Sequence, residues 1–511
     1  MVALEANNNS REYWPSRNRA YSDLIKEQCS SDPRLRIRDP KWVERKTMWP
    51  KTPIRVRILD RSETQNFVVK KELSDPNDLQ EFLDNQKRLS GQATVFLVES
   101  FDPQTVQVLG NHFQLHPSFF VEHEWVKTFY DDAFSRTDTV LLPSLLSTRD
   151  HITLKYFEPI HIYQGVPGFH QRCHVTGRHI KATRSGETIL PIGILRRKCS
   201  VWNREVDGVS DTIVLCDPKV RHIGTMECLK PFPVDVCPFQ GGYVDFIPEK
   251  DQLKTHRGPP RTSMFDDLSF YLTNHFHLLV KGTCAEKIQV FINKIVAGHY
   301  WELANFTNST LARSQGRLSK QSDLSSFSVT TVERDWSDGQ SDEKRSAQFC
   351  RDIESVMLQL NIEPCAPTYA RITDWTDCEQ DFQFLLAQFR NLRQMTVSLN
   401  ASMTTLASIT GNHQAMTQQK QSLYEAKRMK ALTFLGLVFI PMSYVCSLFS
   451  MADPFAPGGQ LFWVYFLVAI PLVCLVSVGN WLLDRGYNFE ASCWSVRDLL
   501  DISKNSDAAS I

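Results

Sequence analysis

Two uncharged apolar stretches near the C-terminus constrain this chain more than anything else in it. Ala431 to Ala452 reads ALTFLGLVFIPMSYVCSLFSMA, and Leu461 to Leu483 reads LFWVYFLVAIPLVCLVSVGNWLL. Neither holds an Asp, Glu, Lys or Arg, and each is about 20 residues long, enough to cross the hydrocarbon core of a bilayer as a helix. Aromatic residues gather at the ends of the second stretch (Phe462, Trp463, Tyr465, Trp481), where interfacial anchors sit. Asp453 to Gln460 joins the two stretches and contains Pro454, Pro457, Gly458 and Gly459, so a tight helical hairpin is expected. Lys420, Lys427, Arg428 and Lys430 precede the first span, Arg485 and Arg497 follow the second, and the loop has no Lys or Arg. Positive charge stays on the cytoplasmic side. Both termini are therefore expected to be cytoplasmic, with residues 453–460 facing out.

The rest of the 511 residues reads as soluble. Mean hydropathy is −0.28, which excludes a many-span protein. Lys+Arg and Asp+Glu are both 57, so the net charge is zero and the basic excess of a phosphate-binding nucleic-acid protein is missing. The 13 cysteines include no C-x-x-C, which speaks against a zinc ribbon or a secreted disulfide scaffold and for reduced thiols such as Cys29, Cys173, Cys228 and Cys350. Met1 to Ser10 shows neither the apolar core of a secretory signal nor an Arg-rich amphipathic start.

Strand-like runs rich in β-branched residues are Ile54–Leu59, Thr94–Val98, Thr139–Leu142, Ile152–Tyr163, Ile189–Arg196 and Thr212–Cys216. Helical patterns cover Asp78–Leu89, Phe265–Val280 and Ala285–Ala304. The expected layout is an α/β N-terminal cytoplasmic domain over 1–247, then a linker and helical part over 248–304. A polar insert without regular structure over 305–344 precedes a helical stalk over 345–430. Spans at 431–452 and 461–483, the outer loop 453–460 and a cytoplasmic tail 484–511 complete it. The linker is Pro248 to Arg261. The insert is assigned from the Ser- and charge-rich composition of Asn308 to Lys344. Asn305-Phe-Thr and Asn308-Ser-Thr are chance matches to the glycosylation pattern on a cytoplasmic segment.

Trp375 to Met451 reads as one very long helix or as two broken at Gly411. Thr376 and Glu379 form a T-x-x-E capping box at its start. Leu385, Leu392, Leu399 and Leu406 recur seven apart with Phe382, Phe389 and Met403 on the companion row, a seam expected to hold stalks against neighbours. Beyond Gly411 the row turns polar (His413, Gln414, Thr417, Gln418, Gln421), as a wet oligomeric funnel needs.

Enzymatic motifs are missing. There is no G-x-x-x-x-G-K-[ST] and no G-x-S-x-G, and His123-Glu124-Trp125-Val126-Lys127 fails H-E-x-x-H at its last position. His275 and His277 face different ways on a helix, so ordinary surface or core roles fit them better than metal binding. Asp374, Asp377, Glu379 and Asp381 read as acids meeting a helix N-terminus, with a divalent-ion sensor as the alternative. No resident metal site or cofactor is assigned.

Met429 to Met451, MKALTFLGLVFIPMSYVCSLFSM, resembles the first transmembrane helix of the CorA family of divalent-cation channels. It shares the Met-Lys-x-Leu-Thr opening, the mid-span Pro441 followed by Ser443, and a Phe-x-Met exit. Leu109 to His123, LGNHFQLHPSFFVEH, resembles the Leu-His-Pro segment of the family's soluble domain in its fungal form. The resemblance is specific over the last 90 or so residues and loose before them. It implies an α+β cytoplasmic domain, a long stalk helix and a two-helix transmembrane hairpin. It also implies a homo-oligomer, a pentamer in that family, in the lipid bilayer, and passive Mg²⁺ entry through a pore lined by the first span.

By helical spacing the pore face takes in Met429, Leu432, Gly436, Ile440, Ser443 and Ser447. The resemblance makes Met429, Leu432 and Ile440 the hydrophobic gate and Ser443 a polar ring. The alternative for the same stripe is helix–helix packing through its small residues. At the outer mouth the family's Gly-Met-Asn is replaced by Ser450, Met451 and Ala452, followed by the acid Asp453. Mg²⁺ dehydrates reluctantly, so a selective mouth needs amide oxygens for the hydrated ion. Three functions stay open: Mg²⁺ transport, a zinc or broad-specificity carrier, and a non-conducting scaffold or regulatory homologue.

The charge asymmetry predicts a labelling pattern. A cysteine replacing Gly458 should react with an impermeant thiol reagent on intact cells, and Cys493 should not. Labelling of Cys493 from outside overturns the topology.

Overall fold

The computed structural model describes residues 21, 23–24, 27, 53–61, 65–86, 89–124, 142–163, 171–183, 192–225, 232–248, 258–320, 329–367, 374–450, 460–488 and 493–494. They fall into two units, Met1–Thr404 and Thr405–Ile511.

The first unit is built on a mixed sheet of eleven strands. One end of it is β2 (Val68–Leu73), followed by β1 (Arg55–Arg61) and β3 (Ala93–Glu99), and the long strands are β4 (His151–Ile162), β7 (Ile192–Val206) and β8 (Val209–Cys216). The short strands are β5 (Gln171–Cys173), β6 (His179–Thr183), β9 (His222–Thr225), β10 (Phe232–Pro233) and β11 (Val236–Pro238). The order runs β10-β9-β5-β6-β7-β8-β3-β1-β2, and β4 joins β7 outside this path. The β3–β8 pair is parallel, with Ala93 opposite Ser210 and Glu99 opposite Cys216. A parallel pair needs a crossover rather than a tight turn, and here everything from α2 to β7 lies between the two strands.

Every residue of β3 is buried, the mark of a strand covered on both faces. Val95 and Leu97 point into one core and Phe96 and Val98 into another, as the two-residue side-chain period dictates. The second core is covered by α1 (Pro76–Asn85), α2 (Pro103–Phe113) and α3 (Ser118–Glu124). Asp75 and Asp102 cap the first two through their side chains, and a proline starts each helix. A short α4 (Pro143–Leu146) precedes β4. In α2, a Cβ on Gly110 would lie 2.4 Å from the Tyr21 ring, so no larger residue fits there. The Tyr21 hydroxyl donates to the Leu115 carbonyl at 2.7 Å and ties this N-terminal residue to the α2–α3 turn.

The opposite face carries α5 (Met264–Asn274), α6 (Cys284–Lys320), α7 (Val329–Gln359) and the first part of α8 (Glu379–Phe449). Phe382, Leu385, Phe389, Leu392, Leu399 and Met403 are all buried in this core. The Phe389 ring packs edge-on against Tyr300 of α6 and at an angle to Phe349 of α7, both at 6.0 Å. Arg390 reaches Glu354 at 2.8 Å, and the Asn400 amide donates to Glu343 at 2.6 Å.

Several expectations are corrected. The polar segment expected to lack regular structure over 305–344 lies within α6 and α7, apart from 321–328, outside the described residues. Its apolar positions are sparse, but Phe306 and Leu311 reach the core and Leu318 packs against it. Asn305 and Asn308 sit inside α6. The leucine seam packs within its own chain, and Leu406 is only half-buried. The long helix starts at Glu379 and passes Gly411 unbroken. Its expected capping box is not formed: Asp377 accepts the Glu379 N–H at 2.9 Å, and Asp374 accepts from both the N–H and the hydroxyl of Thr376. Thr139–Leu142 lies outside the described residues up to 141, and Leu142 leads into α4. Most of the 248–261 linker also lies outside them.

The second unit holds the rest of α8 and α9 (Phe462–Gly486), followed by the two-residue strands β12 (Tyr487–Asn488) and β13 (Cys493–Trp494). Both helices contain windows long and apolar enough to cross a membrane, with mean hydropathy 1.9 and 2.3.

Because Leu392 and Leu399 sit in the core of the first unit, Leu392→Asp with Leu399→Asp buries two unpaired carboxylates. A loss of several kcal/mol is expected, read as collapse of the cooperative urea transition of the detergent-solubilised protein. A native midpoint shows that the seam is not core.

Candidate functional site

The stripe assigned to the pore lies on α8. Met429, Leu432 and Ile440 are 69, 72 and 72% exposed, and Ser443 and Ser447 are exposed with them. A Cβ on Gly436 would meet nothing within 4 Å. The Thr433 hydroxyl beside the stripe is satisfied by the Met429 carbonyl at 2.8 Å, the usual resolution for a hydroxyl in an apolar helix.

α9 touches α8 elsewhere. Val445 is buried against Tyr465 and Ala469, with Leu472 at the margin, and the Cys446 thiol donates to the Tyr465 hydroxyl at 3.3 Å. At ~100° per residue, Val445 lies about 160° round α8 from Met429, while Gly436, Ile440 and Ser447 lie within about 20° of it. α9 thus meets α8 at Val445, opposite the stripe, while the other apolar residues of this stretch, such as Phe434, Leu435 and Phe439, are exposed like the stripe itself. Two helices alone do not enclose a pore.

Of the outer mouth, Ser450 is described and Met451, Ala452 and Asp453 lie outside the described residues. The Ser450 N–H still bonds the Cys446 carbonyl at 3.0 Å, which keeps it in the helical spiral of α8.

The acids at the start of α8 have structural partners. Lys294 of α6 donates to Asp381 at 2.6 Å and to the Asp377 carbonyl at 2.8 Å. Asp374 is held below its ordinary range by the Thr376 hydroxyl and N–H. No group of three metal-binding side chains occurs among the described residues. His275 is buried beside Phe270 and Tyr271, and His277 pairs with Asn66 at 3.0 Å, so the two do not converge.

The Leu109–His123 segment spans the end of α2, the turn and α3. Gln114 adopts a left-handed conformation at the α2 C-cap (φ 55°), and His116 accepts from the Ser118 N–H before α3 begins. The helix ends at His123 in a buried polar cluster that the sequence did not reveal. Arg178 forks onto Asp217 with contacts of 2.6 and 2.9 Å and donates to the His123 carbonyl at 2.6 Å. The Lys198 N–H adds a third donor to Asp217 at 2.7 Å. His123 Nε2 stands 3.4 Å from Asp217, and its Nδ1 reaches Ser200, which in turn bonds Thr153. Burial alone raises the Asp217 carboxyl, but Arg178 and His123 outweigh it and hold it well below the usual carboxylate range. Burial, only partly offset by Asp217, lowers the His123 imidazole. This cluster locks α3 to the sheet, and its Ser200 and Thr153 hydroxyls are buried with it, away from any substrate in solution. The residues that form it are scattered over a hundred positions, and only the sheet brings them together.

No protein-family model matches the chain, and no curated protein is similar to it in sequence. Among solved structures it is similar to the CorA magnesium transporter from Methanocaldococcus jannaschii, at 11% identity over 87% of this chain and 100% of that one, with a TM-score of 0.28. It is also similar to the full-length CmaX protein, at 11% identity over 85% of this chain and 98% of that one, with a TM-score of 0.29. The geometry of α8 and α9 stands independently of these likenesses.

Arg178→Ala should strand the Asp217 carboxylate, a loss of about 3–5 kcal/mol for a broken buried pair. A depressed carboxyl gives stability present above its unfolded pKa and lost as pH falls through the folded value. Asp217→Asn should therefore flatten the acid limb of the stability–pH curve measured by urea denaturation. An unchanged acid limb shows that Asp217 does not carry it.

Proposed function

We propose that this chain is a CorA-like membrane protein that passes divalent cations, Mg²⁺ foremost, passively through an oligomeric pore lined by the first span. The observation that carries this reading is the bare stripe of α8. It holds large apolar side chains at Met429, Leu432 and Ile440, small or hydroxyl ones at Gly436, Ser443 and Ser447, and lies on the side that α9 leaves free. Only 6 and 11% of the two apolar windows are buried, so neither helix is the core of a soluble domain. Apolar surface of that extent needs lipid or protein against it. With lipid around α9, the α8 stripes of neighbouring copies face one another. A ring of Met429 and Leu432 side chains excludes water and gates by dewetting, and the Ser443 and Ser447 hydroxyls offer polar rings above it. In this reading both termini are cytoplasmic, the spans form a hairpin and the assembly is a homopentamer.

Ser450-Met451-Ala452 favours a second reading, a non-conducting scaffold or regulatory homologue. An amide oxygen at the mouth hydrogen-bonds a hydrated Mg²⁺, and a methyl at Ala452 does not. A zinc or broad-specificity carrier falls between the two.

Flux into liposomes holding the purified protein separates them. The wild type should pass Mg²⁺ down its gradient, and competition by Zn²⁺ and Co²⁺ reports its selectivity. Leu432→Asp should open the dry constriction and raise the basal flux. Ser450→Gly with Ala452→Asn should favour Mg²⁺ over the competing ions. Zero flux in all three, in protein shown to be folded and oligomeric, overturns transport and supports the scaffold.

A further inference from the structure

One buried carboxylate in the first unit has no donor. Glu302 of α6 is 4% exposed, and neither of its oxygens has a hydrogen-bond partner. His299 lies one turn earlier, and its Nδ1, also without a partner, stands 3.7 Å from Glu302 Oε2, beyond hydrogen-bond range. The imidazole is fixed between two rings: Tyr156 of β4 stacks on it, and Tyr243 meets it edge-on, each at 4.9 Å. The Tyr243 hydroxyl donates to Asp267 of α5 at 2.8 Å, and the Arg261 N–H donates to the same carboxylate at 2.6 Å. A Cβ on Gly298 would sit 2.9 Å from the Tyr243 ring, so residues 239–248 lie hard against α6 at this point.

The charges around the pair do not neutralise it. On the sheet side, Glu158 of β4 is taken up by Arg197 of β7 at 2.9 Å. On the α5 side, Asp245 accepts from the Tyr271 hydroxyl at 3.0 Å and the Ile247 N–H at 3.1 Å, and Asp267 adds a second buried carboxylate. Arg261 is the one cation facing Glu302 among the described groups that influence it, and its nearest side-chain contact is the Gly241 carbonyl at 3.4 Å.

Protonated, the Glu302 carboxyl is neutral; ionised, it is an anion without a donor in a dry site next to the Asp267 carboxylate. We propose that Glu302, walled in by His299 and Tyr243, is a proton-binding site, and that its ionisation loosens residues 239–248 from α6. Burial raises both carboxyls, Glu302 in direction and Asp267 up to about 6. A raised folded pKa means stability that is present at low pH and lost as pH rises through that value. The compact arrangement is therefore the protonated one. The same turns of α6 carry Tyr300, which packs on Phe389, so the site lies one side chain from the buried start of α8.

Hydrogen–deuterium exchange of the full-length protein, corrected for intrinsic rates, tests this. Segments 239–248 and 296–303 should exchange at least about tenfold faster at about pH 8 than at about pH 5. Glu302→Gln, the neutral mimic, should exchange slowly at both, while Asp267→Asn should keep a pH step. Infrared difference spectra of Asp267→Asn, which removes the other raised carboxyl, should over the same range still show the loss of a protonated buried carboxyl, a readout that holds even if Glu302→Gln does not fold. A pH-independent wild type, a step that survives in Glu302→Gln, or a step abolished by Asp267→Asn alone overturns the proposal.

Discussion

The packing of Phe382, Leu385, Phe389 and Leu392 against α6 and α7 is the contact on which the first unit depends. It closes the core over one face of the sheet, and it sets the start of a helix of 71 residues. Without that docking, the opening turns of α8 would be an amphipathic stretch with nothing to bury. Most of the stability of a helix in a protein comes from such packing rather than from propensity. The same helix then changes character twice. Beyond Met403 its side chains are mostly exposed and polar, and from Ala431 they are exposed and apolar. One regular backbone thus meets three surroundings in succession, and the side chains alone decide which.

The buried charges divide by how well they are matched. Asp217 has a guanidinium fork, a backbone N–H and an imidazole, so its charge is held firmly and contributes order. Glu158 is taken up by Arg197 in the same manner. Glu302 has only the His299 imidazole, at 3.7 Å. A carboxylate matched this poorly is the exception among buried polar groups, which normally find partners. The sheet therefore contains fixed ionic anchors, and its helical cover contains a titratable weak point.

What can be read in the sequence follows physical range. The strands at 54–59, 94–98 and 212–216 are legible because β-branched runs carry a local signature. The two apolar helices are legible because about twenty uncharged apolar residues in a row make a helix long enough to cross a bilayer. The stretch over 305–344 misleads because composition counts charges and overlooks their spacing. Phe306, Leu311 and Leu318 are few, but each falls where α6 meets the core. The leucine seam reads as a buried row and is one, but its cover is the same chain and not a neighbouring copy. Periodicity says that a face is covered and not by what. The capping box fails because Asp377 outcompetes the more distant Thr376 side chain for the Glu379 N–H. The Asp217 cluster and the Glu302 site draw on residues far apart in the chain, and no local pattern marks them. The stripe at Met429, Leu432 and Ile440 is legible from spacing, but that α9 leaves it bare comes only from the Val445 contact.

The parallel pairing of β3 with β8 has a consequence for how this chain is made. β3 can pair with β1 at once, but its parallel partner β8 follows only after more than a hundred further residues have been synthesised, and the helical cover is complete only at about Met403. Loop closure over such a separation is slow, and unpaired strand edges are prone to aggregate meanwhile. The first long apolar stretch begins at Ala431, so at ~5–20 residues per second only a few seconds separate a finished core from it. The nascent chain therefore exposes an unfinished sheet and a long apolar segment almost together.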